Sequence, residues 1–290
     1  MRSISRSGRR VAGALLVGVA LTACDDALGV NGGGVVALNF RVATTPSSPQ
    51  LTAVSGADDG PAAVAGPPML IAGTNGTLTI SEIRLIVAEV ELEGEDDDFC
   101  DDDGSGGEDS SGSGGSFDDD DCADFEAPPR FLDLPLDGQP IEAFVGLIPP
   151  GVYDELEFEI EDLEDDDEDT EFAAEIAALR ARILDEFPDW PRKATALVVG
   201  TFESEADGII DFRVYVEAEI EVERDLVPPL VVGDGDVAAE LTVDIRPDIW
   251  FKRSDGSVLP LHLYDSDTTG SLLELEVELE DGFTEIEIDD

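Results

Sequence analysis

Most apolar residues of this chain fall into short alternating runs separated by turn residues. In VVALNFRVA, residues 35–43, Val36, Leu38, Phe40 and Val42 share one face, the period of two expected of a half-buried strand. LEFEIE at 156–161 and VAAELTVDI at 237–245 repeat that pattern, and ATALVVGTFE at 194–203 is a further strand-like run ahead of an Asp207-Gly208 turn. In IDFRVYVEAEIEVE, Phe212, Val214, Val216, Ala218, Ile220 and Val222 face inward, while the outward positions from 217 onward are mostly glutamate. TLTISEIRLIVAEVELE, 77–93, is rich in β-branched residues, but its apolar phase shifts around Ser81 and again near Ala88. That pattern predicts a bulged strand, with an amphipathic helix through Ile80, Ile83, Val87 and Val90 as the alternative. Roughly eight such runs with turns between them predict a mainly β chain, an antiparallel β-sandwich.

Two segments carry a helical period instead. In TEFAAEIAALRARILDEF, Phe172, Ile176, Leu179, Ile183 and Phe187 line one face, which predicts an amphipathic helix over about 170–187, stopped by Pro188. The C-terminal SLLELEVELEDGFTEIEIDD holds both periods: Leu272, Leu275, Leu279, Phe283 and Ile286 form a helical stripe, while 273, 275, 277 and 279 alternate as in a strand. Because leucine and glutamate are strong helix formers, the reading leans to a helix within 271–288. The sandwich is thus expected over 35–290, with a long Pro/Ser/Gly/Ala loop at 44–67 and an acidic Gly/Ser-rich insertion at 95–127.

The N-terminus reads as an address. MRSISRSGRR carries four arginines and no acid, and the apolar run 11–23 that follows is too short to span a bilayer. Together they predict a secretory signal over 1–23. The run ends in Leu21-Thr22-Ala23-Cys24, which resembles the lipobox of bacterial lipoproteins. The resemblance implies cleavage before Cys24 and acylation of its thiol, which would hold the protein in the bacterial cell envelope, facing the periplasm or the exterior. Two or three acyl chains anchor stably. Residues 24–34, polar and glycine-rich after the cysteine, read as a flexible tether.

Charge then narrows the partners. Removing 1–23 takes away four of 16 basic residues and none of 69 acidic ones, leaving 12 against 69, a formal charge of −57. Nucleic acid and basic-patch membrane binding need the opposite sign, whereas cations, basic proteins or other envelope partners suit it. After acylation two cysteines remain, Cys100 and Cys122, at the ends of the acidic insertion. In an exported protein they are expected to form a disulfide that pins a solvated loop. Calcium is the sharper alternative. The insertion fails the D-x-[DN]-x-[DN]-G-x5-E pattern at its closing glutamate, where Gly112 stands. DSDTTGSLLELE fits better, with Asp265, Asp267, Gly270 and Glu276 in register and Thr269 in place of an acid. Enzymatic signals are sparse: the one histidine, His262, sits in apolar LPLHLY, where a strand histidine with a structural role is the simpler reading.

Strand 77–93, FLDLPLDG, and the turn and strand IPPGVYDELEFEI resemble a family of uncharacterised secreted bacterial lipoproteins, with Pro149, Gly151 and Tyr153 carrying the turn. TVDIRPDIWFKRSDGSVLPL, 242–261, resembles a Trp-Phe and Asp-Gly segment of the same proteins. The resemblance covers about half of the mature chain. It implies a transthyretin-like or carboxypeptidase-regulatory-like sandwich and no assigned activity; the acidic insertion and the 170–187 helix depart from it. The expectation is therefore a lipid-anchored, non-enzymatic binding or envelope-interaction module that needs no cofactor. A calcium-dependent binding or adhesion domain ranks second and an envelope hydrolase third.

Overall fold

The structure, a computed structural model, describes residues 33–43, 67–94, 125–163, 172–233, 239–275 and 277–289. Cys24, Cys100, Cys122 and Glu276 lie outside them, as do the signal, the tether up to residue 32 and most of the acidic insertion. The described chain is mainly β, a sandwich built from three sheets.

In the first sheet, β1 (Gly34–Val42) lies between β7 (Pro140–Ile148) and β12 (Ala239–Ile245), and β14 (Phe283–Asp289) closes the order β14-β12-β1-β7. The second sheet runs β13-β10-β9-β3-β2. Its strands are β13 (Leu273–Glu274), β10 (Gly208–Glu217), β9 (Ala196–Ser204), β3 (Gly76–Val87) and β2 (Met69–Gly73), with β6 (Arg130–Asp133) also paired to β3. The third is β11-β8-β4-β5: β11 (Ile220–Val232), β8 (Gly151–Ile160), β4 (Glu89–Gly94) and β5 (Phe125–Ala127), which is the end of the acidic insertion.

Both phase shifts in 77–93 have a structural cause. The β3–β9 register slips between Ile80 and Glu82, a bulge at Ser81. At Ala88 the chain leaves the second sheet and enters the third as β4. The run 208–232 makes the same transfer at Ala218-Glu219, between β10 and β11. Strands that switch sheets through bulges and bends are how sandwiches turn corners.

The inward residues of all three sheets merge into one core. Phe40 of the first sheet and Phe158 of the third meet edge to face at 5.3 Å, and Phe283 packs on Phe158 at 5.0 Å. The second sheet is covered on its other face as well. Helix α1 (Ala173–Glu186) lays Leu179 and Ile183 against Ile86, beside Leu163. Double cover explains the unbroken buried triplets Leu85-Ile86-Val87, Ala196-Leu197-Val198 and Val214-Tyr215-Val216, where a one-sided sheet would alternate.

The mainly β sandwich stands as expected, with two parallel pairings, β1–β12 and β10–β13, among its antiparallel ones. One expectation is corrected. The C-terminal segment is not a helix over 271–288. It divides into β13, a single turn α4 (Val277–Glu280), and β14, which pairs antiparallel with β12. β12 offers a free edge to the main core, and that pairing outweighs the helical stripe. Helix α2 (Pro247–Phe251) follows β12 and buries Trp250, whose indole N–H donates to the Leu279 carbonyl at 3.0 Å.

Candidate functional site

The outer face of the third sheet is tiled with carboxylates. Alternation in ELEFEIE, 155–161, sends Leu156, Phe158 and Ile160 into the core and Glu155, Glu157 and Glu159 outward. Register does the rest. Glu89 and Glu221 flank Glu159, Glu91 and Glu223 flank Glu157, and Glu93 and Asp225 flank Glu155. Nine acids thus stand three deep on three strands, and Glu126 of β5, opposite Glu91, adds a tenth. Arg224, between Glu223 and Asp225, turns to the other face, where its Nη2 donates to the Phe283 carbonyl at 2.8 Å.

The carboxylates crowd into three groups, Glu89–Glu91–Glu126, Glu91–Glu93–Glu157 and Glu157–Glu221–Glu223, each with one oxygen per residue within 4.8 Å of the others. Like charges opposed across a sheet destabilise it, and the acid equilibria move to relieve this. Partial burial, helped by Glu221, Glu91, Glu93 and Glu223, pushes the Glu157 carboxyl up to about 7. Glu155 is also raised, by burial and then by Glu93. Glu223 is raised by sharing a hydrogen bond with Glu221. A face of this kind suits hard cations, which take six to eight oxygen ligands including water, or clustered lysine and arginine side chains.

Asp265 and Asp267, the calcium candidates, lie on the second sheet's side of the molecule. Asp265 precedes the helical turn α3 (Ser266–Thr269); its Oδ1 accepts the Arg213 backbone N–H at 3.1 Å, and its carbonyl accepts both threonine hydroxyls at 3.0 Å. Asp267 is exposed, and Gly270 ends the turn in the left-handed region at φ 61°. His262 sits in a 3₁₀ turn, Leu261–Tyr264, rather than a strand, half-buried and stacked on Phe202 at 4.5 Å.

Alternation in the sequence exposes the outward glutamates of 156–161 and 217–223, whereas Glu89, Glu91 and Glu93 do not stand out there. Their alternation in VAEVELE was the available signal. It was obscured because the strand changes phase just before it, at Ala88.

No protein-family model matches the chain, and no curated protein matches its sequence. Among solved structures it is similar to MbnP from Methylosinus trichosporium, at 13% identity and a TM-score of 0.31, with 72% of this chain and 75% of that one covered. That likeness is too loose to carry an activity across.

Proposed function

We propose that the protein is a non-enzymatic binding module of the bacterial envelope, lipid-anchored through Cys24, that takes cationic ligands on the carboxylate face of β4, β8 and β11. The observation that carries this reading is the three-by-three register of acids. A strand-by-strand opposition of like charge costs stability, and a ligand that neutralises it recovers that loss. Kinship with secreted lipoproteins of transthyretin-like fold rests on the motifs quoted above. The non-enzymatic reading rests on the sequence, which holds one histidine and none of the nucleophile or metalloprotease motifs.

Calcium is the second reading, favoured by the oxygen groups within 4.8 Å. Titration calorimetry with calcium, and separately with a lysine-rich peptide, tests both. Binding to wild type that is lost in the Glu91→Gln/Glu157→Gln/Glu223→Gln protein supports the face. Binding retained by the triple variant, or absent in wild type, overturns it. The anchor has its own test: in a bacterial host, Cys24→Ala is expected to lose acyl mass and leave the membrane fraction. Identical partition of the two proteins would refute lipidation.

A further inference from the structure

The acid face has an apolar end. Along the outward side of β8 and β11 the pairs run Glu159–Glu221, Glu157–Glu223, Glu155–Asp225 and then Val152–Val231. Val231 is 68% exposed, and Val227, just before the Pro228-Pro229 bulge, is 85% exposed. On the first sheet the start of β1 continues the surface. Val35 pairs with Leu147 and Ala37 with Val145 across to edge strand β7, and Val35, Val145 and Leu147 are all exposed. A groove of about 340 Å³ joins the two sheets here, lined by Gly34, Val35, Pro228, Val231 and Ile288 among others. Five of the nine exposed large hydrophobic side chains among the described residues therefore gather at one end, and two of them, Val35 and Val231, line the groove.

The chain enters the sandwich at that same end, because Gly34 opens β1 and lines the groove. Only residues 25–32 separate Gly33 from Cys24. At roughly 3.3–3.6 Å per residue, a fully extended tether keeps Gly33 within about 30 Å of an acylated Cys24. A second copy of the chain is disfavoured as the occupant, since a formal −57 on each mature chain repels its like. We infer that this apolar rim, Val35, Val145, Leu147, Val227 and Val231, rests on the lipid surface that holds the anchor, so that the sandwich stands on its tether end and turns the carboxylate rows away from the membrane. This rests on the anchoring proposed above.

Brominated acyl chains quench tryptophan on contact, which gives a direct test. Full-length acylated protein carrying Val231→Trp, or Leu147→Trp, is placed in phosphatidylcholine vesicles with and without brominated chains. Ile209→Trp is the control, because Ile209 is 68% exposed but sits at the opposite end of the β10–β11 run. Acyl mass and vesicle flotation are measured first. The expected result is loss of emission at positions 231 and 147, beyond the wild-type background of Trp190 and Trp250, with position 209 unchanged. Equal emission in both lipids from protein that still floats overturns the docking and leaves the anchor standing. Quenching at 209 as strong as at 231 also overturns it. Protein without acyl mass that fails to float removes the anchor, and the docking with it. In vesicle-free Cys24→Ala protein, an emission shift at 231 that grows with concentration would assign the face to a second copy instead.

Discussion

Single side chains set the sign of the pH response. Glu157 titrates at about 7 in the fold, against 4.5 for the free side chain. The folded state therefore binds more protons than the unfolded one between those values. Its contribution is fully present below the unfolded value and is lost as pH rises through 7. Allowing for its partial exposure, the loss is on the order of 1–3 kcal/mol. Melting temperature should therefore fall between pH 5 and pH 8, and Glu157→Gln should raise it at pH 8 with little effect at pH 5. A melting temperature that rises over that interval, or a variant gain independent of pH, would refute the account. Tyr153 makes a second residue-scale case. Its buried ring packs against Gly151, and its hydroxyl donates to the Pro149 carbonyl at 2.9 Å, closing the corner between β7 and β8. Tyr153→Phe should cost about 1–2 kcal/mol in urea unfolding with an unchanged m-value. An unchanged midpoint would show that the hydrogen bond does not hold the corner.

At the scale of elements, α1 depends on what it packs against. It has no side-chain cap, and Asp185 and Glu186 sit at its C-terminal end, where the helix dipole disfavours acids. Fourteen residues of helix are marginal alone in water. Its end is held by Phe187, which lies between the Arg84 and Arg213 guanidinium groups at 5.3 and 5.6 Å and meets Phe131 and Trp190 edge-on or tilted. Ile183→Ala should cost about 2–4 kcal/mol. Amide exchange over 173–186 should speed up before that of β3 and β9. Uniform acceleration across helix and sheets would mean that the helix unfolds only with the whole domain.

For the whole molecule, charge dominates. With 69 acids and few bases, and with acids opposed across β4, β8 and β11, self-repulsion opposes the compact state. The screening length shrinks from about 10 Å at 0.1 M salt to about 3 Å at 1 M. Melting temperature should therefore climb from low millimolar to molar monovalent salt, with sodium and potassium chloride acting alike. A flat profile would refute the repulsion. A far steeper rise with micromolar calcium than with matched ionic strength would mark a specific site, and Glu157→Gln against Asp265→Asn would tell the sheet face from the 265–276 segment.

By itself the sequence determined the periods: which residues of 35–42, 156–160 and 212–222 face inward, where α1 runs, and that strand 77–93 breaks phase at Ser81 and Ala88. These properties are local, because burial on one face imposes a period of two on a strand and 3.6 on a helix. Tertiary structure decided what the period leaves open. The C-terminal segment satisfied both patterns, and the fold divided it between a short strand, a single helical turn and β14, the part that pairs with the edge of β12. The parallel pairings of β1 with β12 and β10 with β13 join residues far apart in the chain, which no local pattern encodes. The carboxylate face arose the same way. Each strand shows its own alternating glutamates, but whether they meet in rows or are staggered depends on register, and register is set between strands rather than within them.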